Sequence, residues 1–280
     1  MKIIFKFYQR IRLLSLDIVG GTLASSLLAS ILFDVTPPTA YWISLFLVVW
    51  IIYLTDHLID SYQSLINNDV RSDFFHSNRQ FFWKFISVLF IVSVIFIQRL
   101  PLNILYFGVT GGVFIIIYLV INQVQNRKNI FIIPKEILIS VIYIYGTWGV
   151  PVLMSDHSVD LLKTLLIISY FLLVLTNVLI FSYFDYEKDE QNVILTLAVK
   201  FGKSAVRMFA LCMVILSIVL YAYLYIIYTG IEWFYIFPGV LIAIILTVIL
   251  LFPHLFRKNE LYGIIADASF FLPFSILILK

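Results

Sequence analysis

Long apolar stretches constrain the fold of this chain more than any other feature. Nine of them follow one another, at about residues 13–33, 41–58, 82–98, 103–123, 134–153, 163–184, 206–228, 233–252 and 261–279. A helix needs roughly 20 apolar residues to cross the hydrocarbon core of a bilayer, where every backbone polar group must be bonded internally. The stretches are continuous rather than alternating, which favours helices over a membrane β-barrel. We therefore predict an all-α membrane protein, a bundle of about nine transmembrane helices.

The overall composition agrees with this prediction. Apolar residues make up 62% of the chain and charged residues 12%, and the mean hydropathy is +1.03. A soluble domain has about 25% charged residues. No linker or low-complexity stretch interrupts the chain, so residues 1–280 are predicted to form a single transmembrane domain. The net charge of +3 gives no reason to expect a nucleic-acid partner, and the predicted environment is the lipid bilayer.

The positions of the basic residues predict the orientation of the bundle. With the N-terminus in the cytoplasm, sixteen of the 19 Lys and Arg residues fall on or near the cytoplasmic side, and the exceptions are Arg99, Lys163 and Lys280. Such an excess is typical of cytoplasmic loops. The basic N-terminal segment resembles the start of a signal peptide, but the stretch after it is long enough to span the membrane uncleaved. We predict a multi-pass protein of the cytoplasmic membrane, assuming a prokaryotic source.

Two pairs of aspartates follow the second and the sixth apolar stretch. Asp56 and Asp60 form the first pair, and Asp185 and Asp189 form the second. Residues four apart on a helix share one face, about 5–6 Å from each other. In the predicted topology both pairs lie on the cytoplasmic side, so the two halves of the chain are related as a parallel repeat with one acidic pair in each half.

A divalent cation is one explanation of these pairs. Two carboxylates about 6 Å apart repel each other by roughly 3 kcal/mol at an effective dielectric constant of 20. Mg²⁺ takes carboxylate oxygens and leaves positions open for phosphate, and Lys135 at a cytoplasmic helix end would contribute to phosphate binding. The alternative is that each aspartate is only a solvated residue at the membrane interface, and that Lys135 pairs locally with Glu136. Zinc spacing is absent from the four histidines, which are His57, His76, His157 and His254.

Two further acids, Asp17 and Asp267, fall inside predicted spans. An ionised aspartate at the centre of a membrane helix costs roughly 2.5–3.5 kcal/mol, so each is expected to line a polar cavity or to pair with a basic residue. Small residues allow helices to approach closely, and the pairs Gly20-Gly21 and Gly111-Gly112 therefore predict tight helix packing.

The second acidic segment resembles a known family motif. The sequence Asp185-Tyr186-Glu187-Lys188-Asp189, followed by Thr196-Leu197-Ala198-Val199 and Gly202, is similar to the second aspartate-rich motif of the UbiA superfamily of intramembrane prenyltransferases. Asn177 is similar to a polar residue that often precedes this motif. The segment Asp56-His57-Leu58-Ile59-Asp60 resembles the first motif, although Ile52 stands where the family commonly has Asn. The layout of spans and motifs matches the family along the whole chain.

The resemblance implies transfer of an isoprenyl group from its diphosphate to a hydrophobic, often aromatic, acceptor within the membrane. Magnesium would be held by the catalytic aspartates, which are Asp56, Asp60, Asp185 and Asp189. Substrate binding would involve Asn177, with Lys188, Arg71 or Arg127 balancing the remaining phosphate charge. Aromatic rings would face the allylic cation, and the candidates are Tyr143, Tyr145, Tyr183 and Trp148.

Two other functions remain open on the sequence alone. The second hypothesis is a catalytically inactive relative that binds a prenyl lipid or a partner. The presence of Ile52 where the family commonly has Asn favours this hypothesis. A small membrane transporter, with Asp17 and Asp267 on an ion path, is the third hypothesis. The parallel repeat argues against it, since inverted repeats with broken helices at the midplane are typical of transporters.

Overall fold

The computed structural model describes residues 11–63, 70–156, 159–228 and 232–279. Helices make up 86% of these described residues, which contain no strand. Its α-helices are α1 (Leu16–Leu32), α2 (Thr39–Gln63), α3 (Val70–Ser77), α4 (Arg79–Ile97), α5 (Leu102–Lys128), α6 (Lys135–Met154), α7 (Leu161–Phe184), α8 (Tyr186–Gln191), α9 (Leu197–Phe201), α10 (Lys203–Ile227), α11 (Trp233–Leu251), α12 (Pro253–Phe256), α13 (Leu261–Ser269) and α14 (Ile276–Leu279). Short 3₁₀ turns at Lys258–Glu260 and Leu272–Ser275 connect the last three.

Seven of the described helices are long and apolar enough to cross a membrane: α2, α4, α5, α6, α7, α10 and α11. The segments Lys258–Ser269 and Leu272–Leu279 add an eighth span if they are taken as one helix bent by 44°. Helix α1 coincides with the first predicted stretch but has only 17 residues. The predicted all-α membrane bundle is therefore confirmed, with a span count close to the nine that the sequence indicates. The protein is an integral, multi-pass membrane protein.

Helix α7 lies at the centre of the bundle. It packs most extensively against α10 and α6, and also against α11 and α13. In the most apolar 18-residue stretch of α7, about 56% of the residues are buried. The corresponding share in α5 is 6%, so the side chains of α5 form outer surface. The largest buried cluster is built around α7 and includes Tyr170, Leu173 and Leu179. Because α7 ends at the second acidic motif, the best-packed helix of the molecule positions that motif.

The ends of α7 and the turns after it have local causes. Asp160 caps the start of α7, with its side chain accepting a hydrogen bond of 2.8 Å from the Lys163 backbone N–H. The helix ends at Asp185, and α8 begins at the next residue. Thr196 caps α9 in the same way, and Gly202 ends it with a φ of 90°, a conformation that only glycine adopts readily.

The two glycine pairs confirm the predicted close helix packing at three of their four positions. A Cβ atom at Gly20 would collide with the Phe271 ring, and one at Gly21 would lie tightly against Phe270, so the predicted close packing at this pair is confirmed; its partner is the C-terminal segment. Gly111 lies against the ring of Tyr145 in the same manner. No described atom lies close to a side chain built at its neighbour, position 112, so that prediction is wrong for half of the second pair.

Candidate functional site

A cavity of about 290 Å³ opens where α1, α2, α6, α7 and α13 converge with the segment that follows α7. Its walls are mainly apolar and aromatic, with Ile18, Val174 and Phe270 among them. Its charged lining consists of five acidic residues, Asp17, Glu136, Asp185, Asp189 and Asp267, and two basic residues, Arg12 and Lys135. The cavity therefore joins an apolar interior to a strongly acidic set of side chains.

The second acidic pair lies at this cavity in a geometry that the sequence only partly predicts. Asp185 lies between the last residue of α7, Phe184, and the first residue of α8, Tyr186, so the pair does not share one continuous helix. The spacing survives because the Asp189 N–H donates to the Asp185 carbonyl at 2.8 Å. Tyr262 of α13 donates from its hydroxyl to Asp185 Oδ1 at 2.5 Å. The last transmembrane segment is thereby fastened directly to the motif.

Both carboxyl groups are poorly solvated. Burial raises the pKa of Asp189 to about 7; the Lys135 ammonium opposes this rise, and the charge of Asp185 adds to it. Burial also raises the pKa of Asp185, against the hydrogen bond from Tyr262 and the charge of Lys188. A raised carboxyl pKa means that the surroundings do not compensate the negative charge. A cation bound between the two groups would supply that compensation.

The third acid of the motif, Glu187, points away from the cavity and is half exposed. Its Oε1 lies 2.8 Å from Lys203 Nζ and 3.1 Å from Arg257 Nη2. Burial alone would raise the pKa of Glu187, but these hydrogen bonds and the positive charge hold it below its usual value. Glu187 therefore ties the motif to α10 and to the turn after α12, whereas the two aspartates face the cavity.

Glu136, in the first turn of α6, connects the elements around the motif. Its Oε1 accepts hydrogen bonds from Ser182 Oγ at 2.9 Å and from the Leu197 N–H at 2.7 Å. Ser182 Oγ in turn accepts from the Ala198 N–H at 3.2 Å. Glu136 is fully buried, and its Oε2 has no hydrogen-bond partner among the described residues. The described hydrogen bonds of Glu136 run to α7 and α9, whereas a local ion pair would require a contact with Lys135.

A polar group also lies deeper, between the apolar walls. Asn177 Nδ2 donates to Asp267 Oδ1 at 3.1 Å, and Asn177 Oδ1 is buried without a partner among the described residues. Asn177 precedes Asp185 by eight residues on α7, which corresponds to about 12 Å along the helix axis. The predictions that Asn177 belongs with the motif and that Asp17 and Asp267 line a polar cavity agree with this placement.

Arg12 is the cavity residue that the sequence does not single out. Its side chain is 10% exposed, its Nη1 donates to the Glu260 carbonyl at 3.1 Å, and its Nη2 lies 3.5 Å from Glu260 Oε2. The sequence shows it only as one of several basic residues before the first apolar stretch. Being the last of these basic residues is only a weak indication that Arg12 belongs to the cavity. Its partner Glu260 lies 248 residues away, so no local pattern in the sequence connects the two.

The first acidic pair is less completely defined. Tyr53 and His57 of α2 line the cavity, while Asp56 between them is absent from the described lining. The side chains of Asp60 and Arg71 lie outside the part of the molecule that can be described. Within the described part, no group of three His, Cys, Asp or Glu side chains is arranged to hold a metal ion.

The remaining predicted residues divide between cavity and surface. Lys135 lines the cavity, whereas Lys188 and Arg127 are exposed. Lys188 is still close enough to influence both aspartates electrostatically.

Of the four aromatic candidates, Tyr143 alone appears in the described lining, where its hydroxyl lies 2.8 Å from Ser25 Oγ. Tyr145 stacks on Phe107, Trp148 packs against Tyr170, and Tyr183 lies under the Lys203 ammonium. The aromatic wall that the sequence missed includes Tyr53, Phe181 and Phe270.

Similar solved structures place this arrangement in a known fold. A UbiA homolog from Archaeoglobus fulgidus, solved with DMAPP and Mg²⁺, aligns with 96% of this chain and 99% of its own, at a TM-score of 0.62 and 12% sequence identity. The chain has the UbiA fold. A structure of digeranylgeranylglyceryl phosphate synthase shares the UbiA fold with it over 98% of this chain and 96% of its own, at a TM-score of 0.51 and 17% identity.

No model of a known protein family matches the sequence, and no curated protein sequence matches it significantly. The resemblance that the acidic motifs indicate is therefore confirmed by three-dimensional structure, at the level of the UbiA fold.

Proposed function

We propose that this protein is a magnesium-dependent intramembrane prenyltransferase, which transfers an isoprenyl group from a polyprenyl diphosphate to a hydrophobic acceptor. One observation carries the proposal. The buried Asp189 and the partly buried Asp185, both with raised pKa values, stand beside an apolar, aromatic cavity, in a fold shared with a protein that was solved with DMAPP and Mg²⁺. The whole chain, residues 1–280, would act as one domain.

The donor set fits a hard cation. Asp185 and Asp189 supply carboxylate oxygens, the ligands that Mg²⁺ prefers, and their raised pKa values indicate uncompensated charge at that point. In this proposal Asp56 and Asp60 complete the ligand set from α2. Bound magnesium would neutralise charge on the diphosphate as it leaves.

Basic residues of the chain would bind the rest of the diphosphate. Arg12 and Lys135 line the cavity with the aspartates, and a guanidinium group binds phosphate oxygens in a bidentate manner. Lys188 would add charge from the exposed side, and Arg71 and Arg127 remain as more distant candidates. With these residues on its cytoplasmic side, as the sequence predicts, the cavity mouth would receive the diphosphate from the cytoplasm.

The apolar part of the cavity suits the isoprenyl chain. Tyr53, Tyr143 and Phe270 line it, and their ring faces would stabilise positive charge that develops at the allylic carbon. The same rings exclude water, which would otherwise compete with the acceptor for that carbon. In this proposal the charged residues at the cavity mouth bind the diphosphate, and the aromatic walls protect the reacting carbon.

The test is release of inorganic diphosphate by the full chain purified in detergent. Isoprenyl diphosphates of several lengths are supplied with and without Mg²⁺. Asp189→Asn should abolish magnesium-dependent release, because it removes a cavity carboxylate without changing its size. Glu190→Gln is the matched control: Glu190 is the next residue on α8, but it is exposed and bonded to Tyr186. Unchanged release by Asp189→Asn would refute the proposal.

A second candidate is a relative that binds prenyl diphosphate without turning it over. The observation that favours it is the lack of a three-residue metal cluster within the described residues, together with Ile52 in the first motif. It predicts magnesium-dependent binding of a prenyl diphosphate with no diphosphate release for any acceptor. The transporter hypothesis loses its main support, since Asp17 and Asp267 line the same cavity as the acidic motif.

A further inference from the structure

We infer that the acceptor is a neutral or positively charged molecule with a hydroxyl or amino group, and that Glu136 is the residue that binds this group. The inference rests on the proposed function, since it concerns the second substrate of the same cavity. It excludes acceptors that carry a carboxylate or phosphate near the reacting atom. Neither the acidic motif nor the fold specifies this preference.

The first argument is the unfilled hydrogen-bonding capacity of Glu136. Its side chain is fully buried, and both bonds that fix it go to Oε1, from Ser182 and from the Leu197 N–H. Its Oε2 faces no described donor although the residue lines the cavity. Buried carboxylate oxygens are almost always hydrogen-bonded. A ligand that donates a hydrogen bond in the cavity would satisfy this oxygen, whereas an anionic ligand would not.

The second argument is the position of Glu136 along the cavity. It is bonded to Ser182, which lies three residues before Asp185 on α7, or about 4.5 Å along the helix axis. A diphosphate bound by Asp185 and Asp189 would place its reacting carbon next to the phosphate, at the level of this first turn. Glu136 is therefore placed to contact the acceptor atom that attacks that carbon.

The third argument is the charge of the cavity as a whole. Five carboxyl groups line it, and the basic lining consists of Arg12, Lys135 and the titratable His57. Even with His57 protonated, acids outnumber bases by five to three. The diphosphate would take Arg12 and Lys135, and magnesium would take Asp185 and Asp189. Among the remaining acids, Glu136 has an oxygen without a described donor, which disfavours an anion and favours a hydrogen-bond donor.

The deeper polar group points to the same chemistry. Asn177 Oδ1 is a second buried acceptor atom without a described donor, and it lies beside Asp267 about two helical turns below the motif. A ligand with donor groups would satisfy both open positions, whereas a ligand with only acceptor groups would satisfy neither.

The experiment measures acceptor binding separately from turnover. The full chain in detergent is loaded with Mg²⁺ and geranyl thiolodiphosphate, an analogue that resists cleavage, and binding is followed by equilibrium dialysis. One probe series is three phenols with a para aminomethyl, hydroxymethyl or carboxylate group. The other is decylglycerol and decylglycerol phosphate. We expect the anionic member to bind at least tenfold more weakly than its neutral or cationic partners in one series or both.

Two variants test the role of Glu136 itself. Glu136→Gln keeps an oxygen for the Leu197 N–H but replaces Oε2, the oxygen without a described donor, with an amide donor, so the preference against the anion should fall at least fivefold. Ser182→Ala removes a bond to Oε1 and leaves Oε2 unchanged, so the ratio of affinities should stay within twofold of wild type. A change of ratio in Ser182→Ala as large as in Glu136→Gln would show an indirect, structural effect and overturn the assignment.

The outcomes distinguish this inference from the proposed function. Equal or tighter binding of the anionic probes, or no preference in either series, overturns the inference even if magnesium-dependent diphosphate release is observed. Unchanged magnesium-dependent diphosphate release in the separate Asp189→Asn experiment overturns the proposed function. A neutral preference that persists unchanged in Glu136→Gln would assign the selectivity to other acids of the cavity and remove Glu136 from the inference.

Discussion

The two acidic pairs have the same spacing in the sequence, but their described side chains, Asp185 and Asp189 in one pair and Asp56 in the other, are placed differently in the structure. Asp185 and Asp189 follow the most buried of the seven long described helices, and the Tyr262 hydroxyl bonds Asp185 to the last transmembrane segment. Asp56 lies on α2, where only 22% of the residues in the most apolar 18-residue stretch are buried. The described lining of the cavity includes Tyr53 and His57 of this helix and does not include Asp56. The comparison teaches that spacing alone does not determine how a carboxylate is surrounded, because contacts from distant segments, such as Tyr262 against Asp185, also contribute.

The largest expected effect comes from neutralising one aspartate of each pair. Asp185→Asn should lower diphosphate release at least 1000-fold, about 4 kcal/mol, because it removes charge stabilisation from a desolvated site. Asp56→Asn should lower release by about 10- to 100-fold, since its surroundings are less closed. Steady-state kinetics of both purified variants make the test. An equal or larger loss at Asp56 would break the comparison and make the first pair the principal ligand set.

Basic residues allow a second comparison between the cavity and the surface. Arg12→Ala should raise the KM for the prenyl diphosphate about 20-fold, roughly 2 kcal/mol, because a buried charge-assisted contact is removed. Arg127→Ala removes an exposed guanidinium and should change KM less than twofold. Arg12 also bonds Glu260, so the substitution can affect stability. The Tm of the Arg12→Ala variant is therefore measured alongside the kinetics. A KM effect at Arg127 that matches the one at Arg12 would place the diphosphate nearer to α5.

The pH dependence of magnesium binding sharpens the description of the second pair. Burial raises the folded-state pKa of Asp189 to about 7, above its unfolded value of 3.8. Below pH 7 the carboxyl is protonated, so Mg²⁺ affinity should fall by up to about tenfold per pH unit and level off above it. Without the cation, the ionised form is disfavoured, so the contribution of Asp189 to stability is lost as pH rises from about 4 to 7.

Thermal unfolding with and without Mg²⁺ from pH 5.5 to 8.5 checks this expectation. The magnesium-dependent increase in Tm should grow with pH up to about 7. Asp189→Asn should remove most of that slope, whereas Glu190→Gln should retain it. A slope that is identical in wild type and Asp189→Asn would assign the titration to another group.

The smallest effect concerns the bond that distinguishes the second pair from the first. Tyr262→Phe deletes the hydroxyl that donates to Asp185, which should cost about 1 kcal/mol of stability and raise the pKa of Asp185 further. Tyr186→Phe is the matched control, because that exposed hydroxyl bonds only to Glu190 in the described contacts. Thermal melting of both variants makes the comparison. Equal shifts in Tm would show that the Tyr262–Asp185 hydrogen bond contributes no more to stability than the exposed Tyr186–Glu190 bond.

Local patterns in the sequence are sufficient for some of these features. Continuous apolar stretches predict the helices, because a membrane helix satisfies its own backbone. Spacing and motif similarity predict Asp185 and Asp189, and helix periodicity places Asn177 on the same side. The placement of Lys135 follows from its position at a helix start.

The rest of the site depends on contacts between distant segments. Glu136 looks like an ordinary interfacial residue until Ser182 and Leu197 are folded against it. Tyr262 carries no local signal, because its partner lies 77 residues earlier. The break in the helix at Asp185 is likewise invisible in the i,i+4 spacing, which both a continuous and a broken helix preserve.

The contact between Arg12 and Glu260 has a consequence for the architecture. Helix α1 packs against α2 and α6 on one side and against α13 and the following turn on the other, so the order of helices around the cavity closes into a ring. The seam of that ring is where Arg12 meets Glu260, at the cavity mouth. Loss of either Arg12 or Glu260 would therefore open the same gap, because these two residues join segments 248 residues apart.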